Sequence, residues 1–94
     1  MNHSNTIHFE KLSSRSKARA RVSICVSPGV FLREILLIEG SNGYFIQWPE
    51  RIGISDSGNE IRFSLISFAS DSIRLEWEKR IVDGYQIWKQ SEAF

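Results

Sequence analysis

The 94-residue chain has one cysteine, Cys25. That excludes an internal disulfide and fits a reducing compartment. No apolar run approaches the ~20 residues that a membrane-spanning helix needs, and the opening "MNHSNTIHFEK" lacks the charged-then-apolar order of a secretion signal. A cytoplasmic protein with no membrane partner is expected. Histidine is scarce as well: His3 lies near the N-terminus and His8 on a candidate strand, and no Cys/His cluster has metal-ligand spacing. No glycine-rich loop precedes a lysine at a helix start, and the carboxylates are scattered. No catalytic constellation emerges, so the chain is expected to be no enzyme and to take no cofactor, metal or small-molecule substrate. An excess of one charge is also missing, with 12 Lys/Arg against 11 Asp/Glu. That argues against nucleic-acid binding by bulk charge alone.

What is present is an ordinary globular composition, 41% hydrophobic and 24% charged. The length suits a single domain spanning residues 1–94, with a core small enough to lean on a partner chain. "TIHFEKL" alternates weakly, with Ile7 and Phe9 on one face. After the polar turn Ser13 to Lys17, "ARARVSICVS" alternates cleanly: Ala20, Val22, Ile24 and Val26 on one face, Arg19, Arg21, Ser23 and Cys25 on the other. Period two of this length predicts a half-buried strand hairpinned to the first. In "VFLREILLIE" Phe31, Ile35 and Leu37 share one face and Leu32, Leu36 and Ile38 the other, the pattern of a central strand covered twice. A helix would also accommodate these ten residues, but the turn that follows decides against it. Asn42-Gly43 is a hairpin signal. With those two as the loop, Gly40 would face Phe45 and Leu37 would face Trp48, and Pro49 would end the pairing.

"RIGISDSGNE" (Arg51 to Glu60) reads as a loop and "IRFSLIS" (Ile61 to Ser67) as a further strand. The period then changes. Ile73, Trp77, Ile81 and Tyr85 recur every four residues with Trp88 close behind, the apolar stripe of a helix. Ser70 or Asp71 is the candidate N-cap, and Gly84 is a candidate weak point or end. The expected fold class is therefore α+β: a small antiparallel β-sheet of four to five strands with a C-terminal α-helix. One helix covers one face of the sheet, and a second copy of the chain would cover the other.

Charge is unevenly placed. Lys11, Arg15, Lys17, Arg19 and Arg21 fall within eleven residues that contain no acid. Two readings stand for this cluster: cations solvating an open sheet face, or cations meeting the phosphates of a nucleic acid. Trp48 and Trp77 read as core, whereas Trp88 is open to either a core or an exposed stacking role. Arg74, Lys79 and Arg80 lie among Glu76, Glu78 and Asp83, the mixed signs of a solvated helix face.

The order of these parts resembles the SpoVG (stage V sporulation protein G) family from about Thr6 to Tyr85. The likeness is densest in "REILLIEGSNGYFIQWPER", where Glu34, Ile35, Ile38, Glu39, Gly40, Asn42, Gly43, Phe45 and Pro49 match the family pattern. The resemblance implies a homodimer formed largely through strands, DNA and RNA as partners, and a role in gene regulation tied to septation and sporulation. It also implies nucleic-acid binding by cations after the proline and at the helix start, here Arg51 and Arg74, with Lys17, Arg19 and Arg21 as supplementary contacts. The chain departs from the pattern in two places. "RIGISDSG" stands where the family has a lysine–arginine–threonine–proline loop, and Glu76 stands where it has a lysine. The competing expectation is a homodimeric protein-interaction module that keeps the fold without the nucleic-acid site.

Overall fold

The computed structural model describes residues 6–13, 15 and 17–91. His3 and parts of the Ser13 to Lys17 turn lie outside the described residues. Strands β1 (Ile7–Lys11), β2 (Ala18–Ser27), β3 (Val30–Gly40) and β4 (Gly43–Gln47) form one antiparallel sheet in that spatial order. Strands β5 (Glu50–Ile54) and β6 (Glu60–Ser64) form a separate two-stranded sheet, and helix α1 spans Asp71–Ser91. The fold class is α+β, as the residue patterns imply.

The helix lies across one face of the four-stranded sheet. Ala20, Val22, Ile24, Ile35, Leu37, Ile46, Ile81 and Tyr85 form the core, and Ile7, Phe9, Leu32, Tyr44, Trp48, Trp77 and Trp88 pack around it. Two of the expected helix-stripe residues, Ile81 and Tyr85, are buried, whereas Ile73 at the first turn is exposed. The Ser70 hydroxyl accepts a hydrogen bond from the Ile73 amide at 3.3 Å, which makes Ser70 the N-cap. Gly84 does not end the helix, which runs on to Ser91. Its missing side chain admits Phe9, whose ring edge lies 3.4 Å from where a Cβ would sit. Trp88 stacks on Phe9 at 5.6 Å between centroids, so its role is packing.

Three irregularities were not visible in the alternation. The first is a bulge in β3. Val22 pairs with Ile35 but Ile24 pairs with Leu32, so Arg33 and Glu34 are squeezed opposite Ser23. Glu34 takes a φ of 64°, making it the only non-glycine residue with positive φ among those described. The extra residue reverses the phase of the strand. Leu32, expected opposite Ile35 and Leu37, joins them on the helix side, and Phe31 turns to the open face beside His8 at 5.9 Å.

The second irregularity is a register break between Ala18 and Ala20. It takes Arg19 out of the row it was expected to share with Arg21. The third concerns the hairpin. Gly40 pairs with Gly43 and Ile38 with Phe45, so the loop is Ser41-Asn42, with Gly43 at φ 121° closing it. Phe45 still covers Gly40, diagonally, its Cε1 3.4 Å from that residue's would-be Cβ. The expected phase of β4 holds: Ile46 is buried, Tyr44 and Trp48 pack on the core, and Phe45 and Gln47 point outward.

The stretch read as a loop, Arg51 to Glu60, instead supplies β5, a tight turn and the first residue of β6. Only Ser55 to Asn59 do turn work: the Ser55 amide donates to the Asn59 carbonyl at 2.8 Å and the Gly58 amide to the Ser55 carbonyl at 2.9 Å. Ile52 and Ile54 on one side of this glycine- and serine-rich run carry enough strand character to pair with Arg62 and Glu60. The Leu65 amide donates to the Pro49 carbonyl at 3.0 Å and closes the base of this arm.

Candidate nucleic-acid interface

The five cations named from the sequence occupy three parts of the fold. Lys17 and Arg19 stand at the start of β2, where both meet Glu39 of β3. The Glu39 amide donates to the Lys17 carbonyl at 3.0 Å, and Arg19 Nε donates to Glu39 Oε1 at 2.8 Å. Arg21, directly across from Glu10 in the ladder, pairs with it at 3.2 Å on the open face. Arg19 and Arg21 are therefore held by different carboxylates. Both pairs are exposed, the kind of ion pair worth about 0–1 kcal/mol, so a phosphate can displace the carboxylate at little cost.

Arg51 stands on the arm. Its guanidinium lies over the Phe63 ring, 5.4 Å from the centroid, across the ladder from the residue it pairs with. The ring in turn rests on Gly53, where a Cβ would come within 3.1 Å of Phe63 Cε2. Any larger residue at 53 would lift the ring and tilt the guanidinium above it. Arg51 is exposed and has no ion pair among the described residues. Lys17 shares that condition.

Arg74 sits in the first turn of α1, at the positive end of the helix dipole, where a cation needs compensating acids. Its Nη1 donates to both carboxylate oxygens of Glu78 at 3.1 Å, and Nη2 lies 3.8 Å from Asp71 Oδ1. Glu78 is also the acceptor for Trp48 Nε1 at 2.7 Å, a bond that ties the end of β4 to the helix. Trp48 itself meets Phe68 edge-on at 4.9 Å. No described contact joins Arg74 to Arg51.

A sixth cation was missed. Arg33 projects from the β3 bulge, is exposed, and has no ion pair among the described residues. It lines two hollows at once. One, of about 290 Å³, also has Arg21, His8, Ser23 and Glu34 in its wall; the other, of about 460 Å³, lies between the sheet and the arm beside Leu36, Gln47, Ile52 and Arg62. The sequence signal for it was the lone charged pair Arg33-Glu34 inside an otherwise apolar strand.

Tyr85, on α1, is buried in the core. Burial raises its pKa above the ordinary 10.0, Tyr44 and Glu39 push the same way, and Lys89 and Arg19 oppose them. Among the described residues no group of three or more His, Cys, Asp and Glu is placed to hold a metal ion, and no helix is long and apolar enough to cross a membrane. The arm exposes Ile52, Ile54, Phe63 and Leu65, and the open sheet face exposes Phe31 and Phe45.

A four-stranded meander with one covering helix, a two-stranded arm and dispersed surface cations defines a small α+β protein. No family model matches the chain. It is similar to the putative septation protein SpoVG of Clostridium novyi (strain NT), with 28% identity over 83 residues, covering 88% of this chain and 79% of that protein. The family resemblance drawn from "REILLIEGSNGYFIQWPER" is borne out by this relative.

Proposed function

We propose that the chain is a nucleic-acid-binding regulatory protein of the SpoVG type. In this reading it works in the cytoplasm as a homodimer, in gene regulation of the septation and sporulation kind, by binding rather than catalysis. The observation that carries the proposal is the stack of Arg51 on Phe63, a cation and an exposed ring presented together on a projecting arm. Single-stranded nucleic acids are held by this combination: guanidinium to phosphate or base plane, aromatic to base. Phosphate contacts come from Arg51 and Arg74, with Lys17, Arg19 and Arg21 adding weaker ones. Such contacts set affinity and position but do not read sequence.

The test is fluorescence anisotropy with labelled single- and double-stranded DNA and RNA at low and physiological salt. Binding that is saturable and weakens with salt is expected. Arg51→Ala should flatten the salt dependence by about 0.7–0.9 in log–log slope, and Phe63→Ala should cost about 1–3 kcal/mol where a base stacks. Flat traces from folded protein with every probe would refute the reading.

A second reading has its own observation. Ile52 and Ile54 are 55% and 71% exposed on a two-stranded hairpin, an element that is marginal alone in water. Such an arm suits a protein partner, and a second copy of the chain is the first to consider. Light scattering after size exclusion tests this. A mass of twice 10.9 kDa is expected under both readings, and a dimer that binds no nucleic acid favours the homodimeric interaction module.

A further inference from the structure

The start of α1 presents an arginine that is already occupied. Glu78 lies one turn beyond Arg74 and offers both carboxylate oxygens to the same guanidinium nitrogen, each at 3.1 Å. Asp71 stands on the other side, 3.8 Å from Nη2. Arginine N-terminal to glutamate is the less favourable order for a pair four residues apart, so the helix alone would hold this arrangement weakly. What fixes it comes from outside the helix: Trp48 Nε1 donates to Glu78 Oε2 at 2.7 Å, a short charge-assisted bond from the end of β4. The Glu78 side chain is 20% exposed and that of Arg74 37%, so the guanidinium can be reached while its partner is anchored.

A phosphate approaching Arg74 for a two-point grip finds one donor nitrogen taken and two carboxylates beside it. Its own negative charge must displace one of them or share the cation with both. We infer that Glu78, held in place by Trp48, is a built-in competitor for the nucleic-acid phosphate at Arg74 and lowers the affinity of this site. The inference rests on the nucleic-acid reading above and specifies how that site is restrained.

The experiment titrates a fluorescein-labelled single-stranded oligonucleotide, as DNA and as RNA, with the full chain across a salt series. Glu78→Gln keeps an oxygen acceptor for Trp48 but removes the charge. It should bind about two- to fivefold more tightly, the order of gain from releasing one partly exposed ion pair. Its salt slope should steepen by about 0.7, the value for one added phosphate contact on a single strand. Adding Arg74→Gln to that variant should abolish both gains. Asp71→Asn, at a side chain 92% exposed, relieves the second carboxylate without touching the Trp48 bond and should give a smaller gain of the same sign. It keeps the test open if Glu78→Gln does not fold. Wild-type binding with neither variant tighter overturns the inference and leaves the other cations as the site. No binding by wild type or any variant at low salt removes the nucleic-acid reading and the inference with it.

Discussion

Replacing Gly84 by alanine should make this protein more stable, and the structure sets the size of the effect. Gly84 lies in the interior of α1, seven residues before its end at Ser91. There glycine is about 0.8–1.0 kcal/mol less favourable than alanine, because it loses more backbone freedom on folding. The opposing risk is steric, since β1 crosses this position. The added methyl would stand 3.4 Å from Cζ and 3.5 Å from Cε2 of Phe9, which is touching distance without overlap. Each such carbon contact adds about 0.1–0.2 kcal/mol. The net expectation is a gain of about 1 kcal/mol, or about 4–8 °C in Tm for a domain of this size. Urea unfolding followed by helix circular dichroism measures it, as a raised midpoint at unchanged slope. Because the larger part comes from the helix itself, the gain should persist in a Phe9→Leu background. A loss of stability in Gly84→Ala would refute the reasoning, placing ring and helix closer than 3.4 Å or showing that the helix breaks there.

Two further outcomes can be checked in the same assay. Glu34 holds a left-handed φ of 64° with an exposed side chain. That conformation costs an L-residue about 1–2 kcal/mol, and glycine gives back about 0.5–1 kcal/mol of it in unfolded-state entropy. Glu34→Gly should therefore stabilise by about 0.5–1 kcal/mol and Glu34→Val should destabilise. A less stable glycine variant would mean the carboxylate does something the strain argument omits. Tyr85 gives a pH signature. Its pKa is raised in the folded state, so below the ordinary value of 10.0 both states hold the proton and nothing is lost. Above it the unfolded chain releases the proton first, so stability should fall as pH rises past about 10. The difference between wild type and Tyr85→Phe should show that decline, and parallel pH curves would contradict it.

The parts of the fold legible in the sequence are those with a clean period. Ala20, Val22 and Ile24 alternate with polar neighbours, and Ile81 and Tyr85 recur at helical spacing, so both were placed correctly. "VFLREILLIE" is apolar in both phases, and a strand with no contrast between its faces carries no mark of where a bulge reverses them. That is why Phe31 and Leu32 were exchanged. The Asn-Gly pair announced a hairpin, but a shift of the loop by one residue satisfies the same glycine, and only the pairing of Gly40 with Gly43 distinguishes the two. The second strand of the arm was expected, but its first, β5, was read as a loop because the serines, aspartate and glycines around it outweigh its two isoleucines in any local reading. The site was less legible still. The positions of the cations could be listed, but what holds them arrives from far along the chain: Glu39 lies twenty residues from Arg19, Glu10 eleven from Arg21, and the Trp48 that anchors Arg74's partner Glu78 lies thirty residues from that glutamate. Arg33 had only the charged pair Arg33-Glu34 as its signal, because the bulge that makes it project leaves no mark in the alternation.

The separation of the β5–β6 arm from the main sheet has a practical consequence. Among the described residues no ladder joins the two sheets, and the arm is closed at its own base by Leu65 and Pro49. Residues inserted between Ser55 and Asn59 would lengthen the tip without shifting the register of any strand in the helix-covered sheet. The entropic cost is small, about 0.6 kcal/mol for each doubling of loop length. The tip is thus a natural insertion point. Over generations it lets a chain change its reach while the core keeps its sequence constraints. In the laboratory it offers a position at the exposed Asp56 for a fluorophore or short tag that reports what the arm touches.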